Sequence, residues 1–343
     1  MNSLLRTIPP IWLTFLLLLS GIPEAAKSQQ LIRFATLAPE GSTWMKTMHE
    51  LDVELRRQTN NEVGFKFYPN MSMGDESDVI RKMRLGQING GGFTGFGLGE
   101  ILPEIRILEL PFLFRNDAEI DTITSQLTGY FCEQLKTRGF IFLGWADVGS
   151  VYFIAQSPVA GLEDLKRQKI WMWQGDPLAQ AFFSELKVSP VPLSVTDVHL
   201  SLQTGMINAV YCSPLSALVL QWFTRLKYVT DVPFTNAIGA VLIDSKTFER
   251  LSAQNQAILL DLSRSYLHEL LVKSRSDNRE AYQELLNQGL IRVLTNETQR
   301  KEMSDAGVRV QERLVDDLYS RELLERLRKM LGAYRSSSSL EGK

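Results

Sequence analysis

Histidine and cysteine are scarce in this chain, with three of the first and two of the second in 343 residues. His49, His199 and His268 fall on separate helical patterns, without a nucleophile motif beside them or metal-type spacing between them. No G-x-S-x-G elbow, no G-x-G-x-x-G behind a strand and no Walker loop occurs. The glycine-rich Gly95-Phe96-Gly97-Leu98-Gly99 lacks a lysine and reads as a turn. No cofactor, no metal and no catalytic residue is expected, because no acid–base pair can be assembled beside a nucleophile. Charge of one sign is also missing: the formal net charge of -2 gives no electrostatic case for nucleic acid. Cys132 lies on a helical pattern and Cys212 just after a strand, in what read as different lobes, so two free buried thiols are expected rather than a bridge.

Long apolar runs are absent too. The one apolar block, Ile11 to Leu19, is about nine residues, against the roughly 20 a spanning helix needs. Arg6 precedes it and Ala26-Lys27-Ser28 follows as an A-x-S cleavage site, the order of a secretory signal peptide over residues 1–28. No cysteine stands near that site, which argues against a lipidated N-terminus. The expected product is exported to the periplasm.

What is present is a repeated α/β pattern. Leu31 to Leu37, Val63 to Tyr68 and Ile88 to Phe93 read as strands, the last broken by Gly90-Gly91-Gly92. Between them lie a helix with Trp44, Met48, Leu51 and Leu55 on one stripe and a shorter one carrying Val79, Ile80 and Met83. The acidic Asp75, Glu76 and Asp78 suit the dipole at the start of that shorter helix. A helix from Asp117 directs Ile120, Ile123, Leu127, Phe131 and Leu135 inward. Strands at Phe140 to Trp145 and Val151 to Ala155 lead into a second β-α-β-α-β run, from Lys169 to Cys212. Such runs imply parallel sheets with right-handed crossovers. A long helical pattern from about Ser252 to Asn287 reaches roughly 50 Å, enough to cross both halves. A charge-rich helical stretch, Glu297 to Leu331, carries Gly307 and Ser320 as expected breaks. The boundaries read as residues 29–152 with 236–275 for the first lobe, 153–235 with 276–333 for the second, and an unstructured tail at 334–343.

The stretch from Leu162 to Pro177 organises the second half. A polar helical turn leads to a short strand with Trp171 and Trp173 on one face and Met172 on the other, then a turn at Gly175-Asp176-Pro177. Indoles at a strand end before a helix suit both a core and the wall of a ligand cleft. Asp176 reads first as the cap before Pro177 and second as a contact for a cationic ligand. Phe93 and Thr94, at the end of the glycine-broken strand, face the topological switch point.

Together and in order, several segments resemble the DctP-type solute-binding proteins of TRAP transporters. They are Phe34-Ala35-Thr36-Leu37-Ala38-Pro39-Glu40-Gly41-Ser42, Arg84-Leu85-Gly86-Gln87-Ile88, Leu110-Pro111-Phe112-Leu113-Phe114, Lys169-Ile170, Ser189-Pro190-Val191-Pro192-Leu193 and Leu202-Gln203-Thr204-Gly205-Met206-Ile207. The resemblance implies a two-lobed α/β flytrap, hinge strands, a long spanning helix, and delivery of a captured small molecule to TRAP membrane permease subunits. It also implies an arginine after the Lys-Ile pair that grips a ligand carboxylate. Here that position is Trp171, a second polar or basic position is Val151, and the usual asparagine is Cys212. An unpaired carboxylate in such a cleft costs several kcal/mol. The expected ligand is therefore apolar or otherwise without a carboxylate, with Trp171 and Trp173 as the stacking wall and Gln174 and Tyr211 as hydrogen-bonding groups. The tryptophan variant resembles a branch suspected of handling hydrophobic ligands, some with a helical-repeat periplasmic partner. Two other readings remain: a hydrophobic-compound shuttle without a permease, and a conventional organic-acid receptor.

Overall fold

A computed structural model describes residues 29–341. The leader expected over residues 1–28 lies outside the described residues.

The first lobe is built on a five-stranded sheet. Val63–Tyr68, Gln30–Thr36 and Gly90–Thr94 are parallel neighbours, and Gly239–Asp244 runs antiparallel between Gly90–Thr94 and Phe140–Trp145. One face buries Phe34, Met48, Leu51 and Leu55 against the long helix through Leu259 and Leu267. The other face receives helix Asp117–Thr137, whose inward stripe is the one its periodicity predicts. Gly92 accommodates the Trp44 side chain: a Cβ there would lie 2.5 Å from its ring.

In the second lobe Gly149–Ala155 is the central strand. It runs antiparallel to Thr235–Ala237 at its start, to Ala209–Cys212 along one side and to Tyr228–Thr230 at its end. Trp171–Trp173 and Val191–Leu193 form a parallel pair joined to Ala209 through Ile170. Each sheet is thus parallel apart from one reversed strand, and the reversed strands are those through which the chain changes lobes.

The chain links the lobes through hinge strands, a long helix and its C-terminal helices. Residues 145–151 and 235–239 cross side by side, with Val151 opposite Thr235. Helix Ala253–Asn287, 35 residues long, packs against helix Thr43–Gln58 in the first lobe and Pro214–Val219 in the second. Its Asn278 donates from Nδ2 to the Val148 carbonyl at 2.9 Å and accepts from Leu215 N at 3.1 Å, which ties the hinge to the second lobe. Gly149 sits there at φ +109, with Asn278 where a side chain would stand. At the C-terminus, helix Glu297–Arg313 packs on Pro177–Glu185, while Arg321–Glu341 returns to Asp117–Thr137 of the first lobe.

Three expectations fail here. Gly95–Ile101 is a helix capped by Thr94, not a turn. Its glycines make room for buried carboxylates, because a Cβ on Gly95 would collide with Glu109 and one on Gly97 with Glu76. Gly307 does not break its helix; it lets the helix approach the Pro111 carbonyl, which a Cβ would meet at 2.9 Å. Helix Arg321–Glu341 belongs to the first lobe rather than to the second or to an unstructured tail, since its Arg335 forms a double ion pair with Glu119.

Candidate functional site

A cavity of about 430 Å³ lies between the lobes, within the range of about 300–1,000 Å³ usual for small-molecule sites. The first lobe lines it with Trp44, Phe93, Thr94 and Phe96, the second with Trp171, Trp173, Phe182 and Tyr211, and the hinge with Val148 and Val151.

Trp171 shows how one side chain serves core and wall together. Its strand alternates, so it shares a face with Trp173 while Met172 enters the other core. The indole is 2% exposed, donates from Nε1 to the Leu193 carbonyl at 3.0 Å and stacks on Tyr211 with centroids 5.2 Å apart. Trp222 meets its ring edge-on. Tyr211 Oη accepts from the Trp173 backbone N–H at 3.4 Å, and burial raises its pKa. Cys212 lines the cavity as a free thiol whose pKa burial also raises.

Trp173 reaches across the gap. Its ring stacks on Phe96 of the first lobe, 4.6 Å between centroids, and its Nε1 donates to both carboxylate oxygens of Asp75 at 3.2 and 3.1 Å. The same carboxylate accepts from Ser194 Oγ at 2.6 Å and from Val195 N at 3.2 Å, both in the second lobe. Asp75 is also the N-cap of Glu76–Arg84. One aspartate therefore binds the two lobes through three donors.

Much of the charge in the cavity is engaged within the protein. Arg106, on the 3₁₀ helix Pro103–Glu109 of the first lobe, grips Asp176 of the second with Nη1 and Nη2, each 3.0 Å from a carboxylate oxygen. Its Nε lies 2.7 Å from Glu109. Burial works against the guanidinium, yet Asp176 and Glu109 together raise its pKa. Glu109 is pushed up to about 7 by burial, with Arg106 pulling the other way. Glu76, buried beneath Thr94, is pushed up to about 8 by burial although Thr94 N and Gly97 N donate to it at 2.7 Å. Asp147 pairs with Arg275 of the long helix. The lining thus carries four acidic groups, Glu76, Glu109, Asp147 and Asp176, and two cations, Arg106 and the exposed Lys46.

Residues 34–317 match the family described as bacterial extracellular solute-binding protein, family 7, DctP. The chain belongs to the DctP-type family of TRAP-transporter solute-binding proteins. Among relatives of this receptor, a solute-binding protein of Sulfitobacter sp. NAS-14.1 is 24% identical over 309 residues, covering 88% of this chain and 92% of the relative. The 2,3-diketo-L-gulonate-binding periplasmic protein YiaO of Escherichia coli K12 is 23% identical, covering 89% and 94%. A TRAP periplasmic solute-binding protein of Pseudomonas putida F1, solved with D-glucuronate, superposes with a TM-score of 0.80 at 22% identity, covering 87% and 96%. One from Desulfovibrio salexigens, solved with orotic acid, gives 0.83 at 16%, covering 89% and 99%. No helix among the described residues of the receptor is long and apolar enough to cross a membrane.

Of the residues singled out from the sequence, Trp171, Trp173, Tyr211, Phe93, Thr94, Val151, Cys212 and Asp176 all line the interlobe cavity of the DctP-type receptor. Gln174 does not: it is exposed, one residue beyond the strand pair, where alternation turns it away. Thr94 and Asp176 are committed within the protein, the first donating from its hydroxyl to Glu76 at 2.8 Å and the second capping Leu178 N and Ala179 N while it holds Arg106. Arg106, Glu109 and Glu76 were not foreseen. Their signal was available for two of them, since Arg106 and Glu109 are charges at i, i+3 inside the apolar run from Ile101 to Phe114.

Proposed function

We propose that this DctP-type receptor captures a compact, largely apolar or aromatic molecule without a free carboxylate and delivers it to TRAP permease subunits. The carrying observation is the state of Arg106, the one arginine lining the cavity: both its Nη atoms hold Asp176 and its Nε faces Glu109. An incoming carboxylate meets more buried acids than cations and finds both Nη atoms of the arginine already holding Asp176, and leaving it desolvated there is costly. The rings of Trp171, Trp173, Phe93 and Phe182 instead supply apolar area, which stabilises a ligand by about 25 cal/mol per Å² buried.

A second reading has its own support. The solved relatives named above hold D-glucuronate and orotic acid, so an organic acid remains the competing ligand class. Four tryptophans, Trp44, Trp171, Trp173 and Trp222, line the cavity, and their fluorescence reports its occupancy. Titration is expected to show binding by uncharged aromatic or alicyclic compounds, weakened at least tenfold in Trp171→Ala. Tight binding of D-glucuronate or orotate by the unaltered protein, indifferent to Trp171→Ala, would overturn the non-acid reading in favour of the second.

A further inference from the structure

Arg106 and Asp176 are 70 positions apart in sequence, one in each lobe, and both are almost wholly shielded from solvent. Their contact is the two-pronged guanidinium–carboxylate geometry that makes arginine selective for acids. It lies in the wall of the ligand cavity, where Arg106, Glu109 and Asp176 all contribute surface. The aliphatic part of Arg106 is packed over Gly99, where a Cβ would stand 2.8 Å from its Cγ, so the guanidinium has little freedom to swing elsewhere. Asp176 is held just as firmly, because its Oδ1 also accepts from Leu178 N at 3.0 Å and Ala179 N at 3.2 Å at the start of helix Pro177–Glu185.

We propose that Asp176 is a specificity determinant that acts as a built-in acid: it occupies the cavity's arginine from the opposite lobe and so excludes ligand carboxylates while joining the lobes. This deepens the reading of the cavity as a non-carboxylate site and rests on it. A ligand acid displacing Asp176 would have to leave that aspartate buried beside Glu109 without its cation, so exchange is unfavourable. Removing the negative charge at 176 reverses the situation. Arg106 then has one carboxylate neighbour, Glu109, and an open bidentate edge facing the cavity. The rejected class of ligand becomes the accepted one.

Asp176→Asn keeps an oxygen for the helix cap, and Asp176→Ser offers a second capping side chain if the amide packs badly. Both variants and the unaltered protein are titrated calorimetrically with D-glucuronate, orotate and benzoate, and with the uncharged partners D-glucose, uracil and benzamide; thermal melting checks the fold. The expected result is at least a tenfold gain in affinity for one or more of the acids over its uncharged partner in Asp176→Asn or Asp176→Ser. That gain is lost again in the double variant Arg106→Gln/Asp176→Asn. If both single variants fold and none of the acids gains over its partner, the assignment of Asp176 is overturned. A gain that survives Arg106→Gln overturns it too, since the arginine is then not the released group. Failure of the underlying reading looks different: the unaltered protein itself then binds one of the acids tightly, before position 176 is touched.

Discussion

The two sides of the cavity use their polar groups in different ways. On the first lobe, charge is buried and consumed locally: Glu76 takes its bonds from Thr94 and Gly97, while Glu109 accepts from Ile238 N and forms an ion pair with Arg106. On the second lobe, aromatic rings dominate, and their polar edges are spent on other strands of the same lobe, Trp171 on Leu193 and Tyr211 on the Trp173 N–H. Second-lobe groups cross over at two first-lobe residues: Trp173, Ser194 and Val195 N reach Asp75, and Asp176 reaches Arg106. The comparison teaches that an arginine in a binding cleft is not by itself a site for acids. What matters is whether its paired Nη donors are still available, and here the facing lobe already holds both.

The comparison breaks most severely at Arg106. Arg106→Gln leaves Asp176 and Glu109 buried without a cation, and a loss of about 3–5 kcal/mol is expected from urea denaturation. Adding Asp176→Asn should restore part of that loss; equal instability of the single and double variants would show that the ion pair is not the cause.

Acidity distinguishes the lobes next. Burial pushes Glu76 up to about 8 from its ordinary 4.5, and Glu109 and Asp147 up to about 7 and about 6. A carboxyl with a raised folded pKa binds its proton more tightly in the native state than in the unfolded chain. Its contribution is therefore complete below the unfolded value and drains away as pH rises through the folded one. Stability is expected to fall by about 1–3 kcal/mol from roughly pH 5 to pH 8, and Glu76→Gln to flatten that slope, as read by thermal melts across the range. A slope that rises with pH would contradict the burial argument.

A smaller effect is expected at the other interlobe contact. Asp75→Asn keeps an oxygen for the helix cap but loses the charge shared by Trp173, Ser194 and Val195, worth about 1–2 kcal/mol. Small-angle scattering of the ligand-free variant should show a more open average shape than the unaltered protein. At the bottom of the scale, Gln174→Ala should change no ligand affinity by more than twofold, because the side chain is exposed and off the wall.

Much of the fold was legible because it is written in short periods. The stripe Ile120, Ile123, Leu127, Phe131 and Leu135 needs only helix geometry to be read, and it is buried as expected. The long helix was readable for the same reason, with Ser252 as its cap. Glycines were less legible. Gly95, Gly97 and Gly307 look like breaks in a sequence, yet each marks a close approach by a group far along the chain. The site was half readable. Alternation placed Trp171 and Trp173 on one face, but the same rule, applied one residue further, excludes Gln174. Arg106 passed as an ordinary charge in an apolar run.

The sequence by itself determined the α/β order, the repeated halves and the absence of an arginine at position 171, since these depend on neighbours within a few residues. Only the tertiary structure decided that Arg106 would face Asp176 across the cleft, that Asp75 would gather three donors from the other lobe, and that helix Arg321–Glu341 would return to the first. Those outcomes depend on which surfaces meet when the chain closes on itself, and local periodicity carries no record of a partner 70 or 216 positions away.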